Sequence, residues 1–162
     1  MKNKAVYAGT FDPITNGHID ILKRAGTMFD EITIAVSESK HKKTVFSLTE
    51  RVKMVKKACK GINFVKVMSY KGLLVDFLKT VDRRVVIRGL RAVSDFEYEL
   101  QLALINKRMG KNIEMIYMMP MEEFLYISSS AVKEIALHNG DAGKFVPDFV
   151  AKELNKKFKK KQ

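Results

Sequence analysis

The chain is short of cysteine, proline and tryptophan: one cysteine (Cys59), three prolines and no tryptophan in 162 residues. A lone thiol cannot close an internal disulfide and has no second cysteine at metal-ligand spacing, so neither a disulfide framework nor a cysteine-held metal is expected. That usage fits a reducing cytoplasm. No apolar run reaches the roughly 18–20 residues of a membrane span, and the opening MKNKAVYAGT is too short an apolar stretch for a secretory leader. The dinucleotide fingerprint G-x-G-x-x-G and the phosphate loop G-x-x-x-x-G-K-[ST] are both missing. So are a Ser-His-Asp order and a cluster of metal-ligating residues, which argues against hydrolytic and resident-metal chemistry.

Acidic residues are the scarcer charge, 18 against 30 lysines and arginines, for a net +12. Nucleic acid or small polyanions are the partners such a balance suits. Much of the excess lies in KKFKKKQ, Lys156 to Gln162, read as a basic disordered tail, and at Arg51, Lys53, Lys56, Lys57 and Lys60, read as a solvated helix face. No helix-turn-helix, zinc-finger or ribonucleoprotein signature accompanies the charge, so a nucleic-acid partner is not expected.

Apolar, β-branched runs alternate with segments of helical period. Strands are expected at Lys4–Ala8, Glu31–Val36, Asn63–Met68, Arg84–Arg88 and Ile113–Met118. Helices are expected at Gly17–Phe29, Leu48–Cys59, Leu73–Thr80, Phe96–Met109 and Ser128–His138, with a last one from about Pro147. Ser47 to Glu50 and Ser94 to Glu97 read as capping boxes. Alternation of this kind predicts one α/β domain over residues 1–162: a doubly wound, Rossmann-like, five-stranded parallel sheet. Ligands then bind beyond the carboxyl ends of the strands.

The residues at those ends are suited to anions. After the first strand come Gly9, Thr10 and Phe11, then Thr15-Asn16-Gly17-His18 at a helix start, where free N–H groups and the helix dipole favour phosphate. A basic loop, Ser37 to Lys43, follows the second strand, and Tyr70-Lys71-Gly72-Leu73-Leu74 the third. Arg88-Gly89-Leu90-Arg91 follows the fourth, with two guanidinium forks fit to clamp phosphoryl oxygens. After the fifth, Ser128-Ser129-Ser130 opens a helix with more hydroxyls than capping requires. The inventory suits moving a phosphoryl or nucleotidyl group by positioning and electrostatics.

Thr15–His18, the block Arg88–Arg91 followed by Asp95–Glu99, and Ile127–Lys133 together resemble the signatures of the HxGH-type nucleotidyltransferase superfamily, and within it the bacterial phosphopantetheine adenylyltransferase family. The similarity runs from residue 5 to about residue 150. It implies adenylyl transfer from ATP to 4′-phosphopantetheine, giving dephospho-coenzyme A and pyrophosphate, with magnesium accompanying ATP and a homohexameric assembly. Carried onto this chain, Thr10, His18 and Lys42 would be catalytic. Thr10, Lys42, Leu74 and Arg88 would bind phosphopantetheine. ATP would be bound by Thr10, Phe11, His18, Gly89, Leu90, Arg91, Glu99 and the segment Phe124, Leu125, Tyr126, Ile127, Ser128, Ser129, Ser130. Two positions depart from the family pattern: Ala8 stands where proline is usual, and Leu125 where a small hydroxyl residue is often found. A relative with another nucleotide or acceptor, such as a cytidylyltransferase, is the alternative; the Arg88–Glu99 block argues against it.

Overall fold

The structure is a computed structural model that describes residues 3–38, 43–91 and 93–159. Its elements follow the alternation of the sequence: β1 (Lys4–Gly9), α1 (Asn16–Ala25), β2 (Glu31–Ser37), α2 (Leu48–Ala58), β3 (Val65–Tyr70), α3 (Leu74–Thr80), β4 (Val85–Gly89), α4 (Val93–Met109), β5 (Glu114–Met118), α5 (Ser129–Leu137) and α6 (Asp148–Lys159). The strands pair in the order β3-β2-β1-β4-β5, all parallel. Side chains alternate across a strand, so Ala5 and Tyr7 join one apolar cluster while Val6 and Ala8 join another. The first cluster holds the buried faces of α1, α2, α5 and α6, and the second that of α3. Helices therefore cover both faces, as a parallel sheet requires. The direction of winding reverses between β1 and its neighbours β2 and β4, which puts the crevice at the ends of β1 and β4.

Several boundaries differ from the sequence reading, most by a residue or two. Helix α1 stops at Ala25, not Phe29: the Thr27 and Met28 N–H groups bond only three residues back, to Arg24 O at 3.1 Å and Ala25 O at 3.0 Å, and at the cap residue Gly26 a Cβ would lie 2.2 Å from the Phe64 ring. Strand β3 begins two residues later than expected, at Val65, whose register partner is Ile32. Helix α4 begins at Val93, so Ser94 lies inside it instead of capping it. The basic tail is helical as far as Lys159. Val150 and Leu154 of α6 are fully buried, Phe158 packs on the same core, and Lys157 reaches Glu50 at 2.8 Å. Those apolar residues, spaced four apart, carry the helix into the lysine run. Residues 160–162 lie outside the described residues.

Candidate active site

A cavity of about 280 Å³ opens at the ends of β1 and β4. Of the residues singled out from sequence, Thr10, Phe11, His18, Arg88, Gly89, Arg91, Glu99, Phe124, Ile127 and Ser128 to Ser130 line it. Lys42 lies outside the described residues. Four others are placed elsewhere. Leu74 starts α3 and packs on the second core cluster. Leu90 bonds through its N–H to Met118 O at 3.0 Å, joining the ends of β4 and β5. Leu125 closes a short 3₁₀ turn, and Tyr126 is 72% exposed. The cavity is built from the ends of the first, fourth and fifth strands, and Lys43 and Thr44 of the segment after β2 line it as well.

The turn from β1 into α1 sets the histidine. Thr15 caps the helix, its hydroxyl accepting the His18 N–H at 3.4 Å. His18 Nδ1 accepts the Thr15 N–H in return, at 3.0 Å, and lies 2.8 Å from Thr15 Oγ1. This is a capping box with histidine in the place glutamate or glutamine usually takes. Because Nδ1 is the acceptor, the neutral ring carries its proton on Nε2. Burial, then the charges of Arg91 and Arg88, push the His18 pKa down to about 3. The ring is neutral at physiological pH and offers one N–H, from Nε2. The Phe11 ring lies 5.0 Å from the imidazole and 5.4 Å from Tyr7. Phe11 itself sits at φ 50°, a left-handed conformation that a bulky residue adopts only where packing compels it.

Arg88 leaves the sheet at β4 and is already engaged. Its Nε donates to Glu99 at 3.0 Å, a terminal nitrogen donates to the other Glu99 oxygen, and Nη1 donates to Ala8 O at 2.5 Å. Burial alone would disfavour the guanidinium charge, but the two-point contact with Glu99 outweighs it and raises the pKa. Three of five N–H groups are used and two remain for a ligand. Glu99, by contrast, has both oxygens committed to Arg88. Arg91 donates to Ile127 O at 3.3 Å, tying the Arg88–Arg91 segment to the approach to α5.

The three serines divide their tasks. Ser128 caps α5 by accepting the Ala131 N–H at 2.8 Å, and Ser129 donates to Pro13 O at 2.8 Å. Ser130 is exposed, its hydroxyl without a hydrogen-bond partner among the described residues. A helix start with such groups receives anionic oxygens.

Three residues of this region have no site role in the sequence reading. Asp12 and Lys133 face each other across the cavity wall, Lys133 Nζ donating to Asp12 Oδ2 at 2.9 Å. Arg51 is a correction: it is 2% exposed, not part of a solvated face. It donates to Phe46 O at 3.1 Å, Thr10 O at 2.7 Å and Ser37 O at 2.8 Å, fastening the ends of β1 and β2. Its spacing from Met54 and Val55, the buried face of α2, is the signal that marks it. Among the described residues no group of three or more His, Cys, Asp or Glu is placed to hold a metal.

The cytidylyltransferase-like family model matches residues 6–135. A phosphopantetheine adenylyltransferase of Nautilia profundicola is 51% identical, covering 95% of this chain and all of that one. Those of Thermodesulfovibrio yellowstonii and Legionella pneumophila are 49% and 46% identical, over 99% and 97% of this chain and 100% and 92% of theirs. The chain belongs to the phosphopantetheine adenylyltransferase family. Among solved structures, a putative nicotinate-nucleotide adenylyltransferase of Vibrio parahaemolyticus superposes with a TM-score of 0.73 at 14% identity, covering 98% of this chain and 95% of that one. At that identity the likeness shows the fold alone.

Proposed function

We propose that this protein transfers the adenylyl group of ATP to 4′-phosphopantetheine in coenzyme A biosynthesis, releasing pyrophosphate and dephospho-coenzyme A. The observation that carries the reading is the identity of 46–51% to phosphopantetheine adenylyltransferases over nearly the whole chain. A phosphate oxygen of the acceptor attacks the α-phosphorus in line. The bond to the pyrophosphate oxygen breaks as the new one forms, and no covalent enzyme intermediate intervenes. Charge spreads over the transferring oxygens. The His18 Nε2–H and the Thr10 hydroxyl meet it, and removing one such preorganised donor costs about 3–4 kcal/mol in activation free energy. Lys42 and the two remaining N–H groups of Arg88 hold the acceptor's phosphate, with Leu74 against its pantetheine arm. Gly89 to Arg91 and the segment from Phe124 to Ser130 bind ATP, with the serines on its terminal phosphates, and Glu99, both of whose oxygens hold Arg88, acts through that arginine.

Magnesium is read as part of the nucleotide substrate. Of the described cleft residues, the carboxylates Asp12 and Glu99 are engaged by Lys133 and Arg88.

The protein works in the cytoplasm as a homohexamer. Phe96, Leu100 and Leu104, four residues apart on α4, make an exposed apolar stripe, Leu104 being 61% exposed. Such a stripe favours contact between copies. Light scattering tests this, a hexamer giving six times the 18.5 kDa subunit mass. The activity is tested by mixing ATP, Mg²⁺ and 4′-phosphopantetheine and following pyrophosphate and dephospho-coenzyme A. Absence of both products, or equal turnover with CTP, overturns the assignment.

A further inference from the structure

One buried carboxylate of the cleft takes no part in that chemistry. Asp12 is 3% exposed and lines the cavity. Its Oδ1 accepts the Phe46 N–H at 3.0 Å, and its Oδ2 accepts both the Val45 N–H at 3.0 Å and Lys133 Nζ at 2.9 Å. An ionised carboxylate stays in such a place only when donors fill it. Here they come from two segments far apart in sequence, the approach to α2 and the first turns of α5.

The pairing has a consequence for Lys133. Lysine carries its charge on a flexible stem with about 2 kcal/mol of rotamer entropy to lose on being fixed. Lys133 is three-quarters buried at its side chain and lines the same cavity as Ser128 to Ser130. One of its three N–H groups goes to Asp12, leaving two. A fixed carboxylate behind the ammonium removes the ordering cost before a ligand arrives. Its own charge is offset by the Lys133 ammonium, the two backbone N–H groups and the Arg51 guanidinium, with which it is electrostatically coupled. An incoming anion therefore meets the ammonium without an uncompensated carboxylate beside it.

We propose that Asp12 is a positioning residue for nucleotide binding: it holds the Lys133 ammonium beside the start of α5, ready for the terminal phosphates of ATP. The proposal rests on the adenylyltransferase reading.

The test is a double-mutant cycle on the full-length protein, with Asp12→Asn, Lys133→Met and the pair of them. KM for ATP, KM for phosphopantetheine and the thermal midpoint are read for each. If Asp12 acts through Lys133, each single change raises KM for ATP about tenfold, and the double variant is no worse than Lys133→Met, the non-additivity expected of coupled sites. KM for phosphopantetheine stays within about threefold, since the asparagine oxygen still accepts a backbone N–H. A product of the two effects, about 100-fold, or equal losses for both substrates, overturns the proposal. Should Asp12→Asn fail to fold, Lys133→Arg decides. Arginine still reaches the carboxylate and should stay within about threefold of the wild type, whereas behaviour equal to Lys133→Met overturns the proposal. Wild-type turnover is the control on the reading beneath it. If no dephospho-coenzyme A forms, that reading falls by itself, and the same cycle is read as the Kd of ATP by calorimetry, with the same outcomes deciding.

Discussion

His18 Nδ1 accepts the backbone N–H of Thr15 at 3.0 Å. One hydrogen bond thereby closes the first turn of α1 and settles which ring nitrogen carries the proton. The two roles separate by substitution. Glutamine is a usual residue at this position of a capping box, so His18→Gln should keep the helix start, with stability within about 0.5 kcal/mol of the wild type. Its turnover should fall at least about 100-fold, because the imidazole Nε2–H is lost. His18→Ala should lose turnover and about 1 kcal/mol of stability as well. Urea unfolding alongside a pyrophosphate-release assay checks both. A His18→Gln variant with near-normal turnover would remove His18 from the chemistry.

The same burial makes stability depend on pH. In the unfolded chain His18 titrates near 6.5, in the folded protein near 3. Between those values the unfolded state binds a proton that the folded state does not, so lowering pH favours unfolding. The contribution is fully present above about 6.5 and is lost as pH falls toward 3, at up to about 1.4 kcal/mol per pH unit for one proton. Thermal midpoints should drop more steeply over that window in the wild type than in His18→Gln. Parallel curves would mean that groups other than His18 set the acid sensitivity.

Glu99 offers a sharper division between substrates. Both its oxygens hold Arg88, so its first effect is on the arginine assigned to the acceptor phosphate. Glu99→Gln keeps the shape but removes the charge and one acceptor oxygen. KM for phosphopantetheine should then rise about tenfold, as for loss of a charge-assisted bond, and by more than KM for ATP. A rise confined to ATP would return Glu99 to the nucleotide. Arg88→Met should cost about 3 kcal/mol of stability by leaving a buried carboxylate unpaired.

The sheet was legible because its signals are local. Apolar runs, turn residues and capping pairs each act within a few residues, and the five strands and the helices between them follow. The gathering of Thr10, His18, Arg88 and Ser128 was legible because a parallel sheet brings strand ends together. Partnerships between distant side chains were not. Nothing in the spacing of Asp12 and Lys133, 121 positions apart, announces a contact. Likewise Glu99 is given a nucleotide role only by the family resemblance, and no sequence signal announces that its carboxylate meets Arg88. The need for glycine just after α1 came from the Phe64 ring of a distant segment, which no helical period contains.

Arg51 is where charge misleads most. In a run with Lys53, Lys56 and Lys57 it looks like one more solvated cation, yet its guanidinium serves three backbone carbonyls at the ends of β1, β2 and the approach to α2. One of these belongs to Thr10, whose hydroxyl is assigned to the transferring phosphate. Lysine cannot match that planar fork, and its single ammonium cannot reach three carbonyls from one position. Arg51→Lys should therefore lose about 2 kcal/mol, and Arg51→Met about 3 kcal/mol or more, through unsatisfied buried carbonyls. Where Arg51→Lys remains folded, its kcat should fall while KM for ATP changes little, because Thr10 loosens at the reacting centre and the distant phosphates keep their partners. Chemical unfolding and steady-state kinetics on the same preparation test both halves. A lysine variant as stable as the wild type would mean that the three carbonyls find other donors.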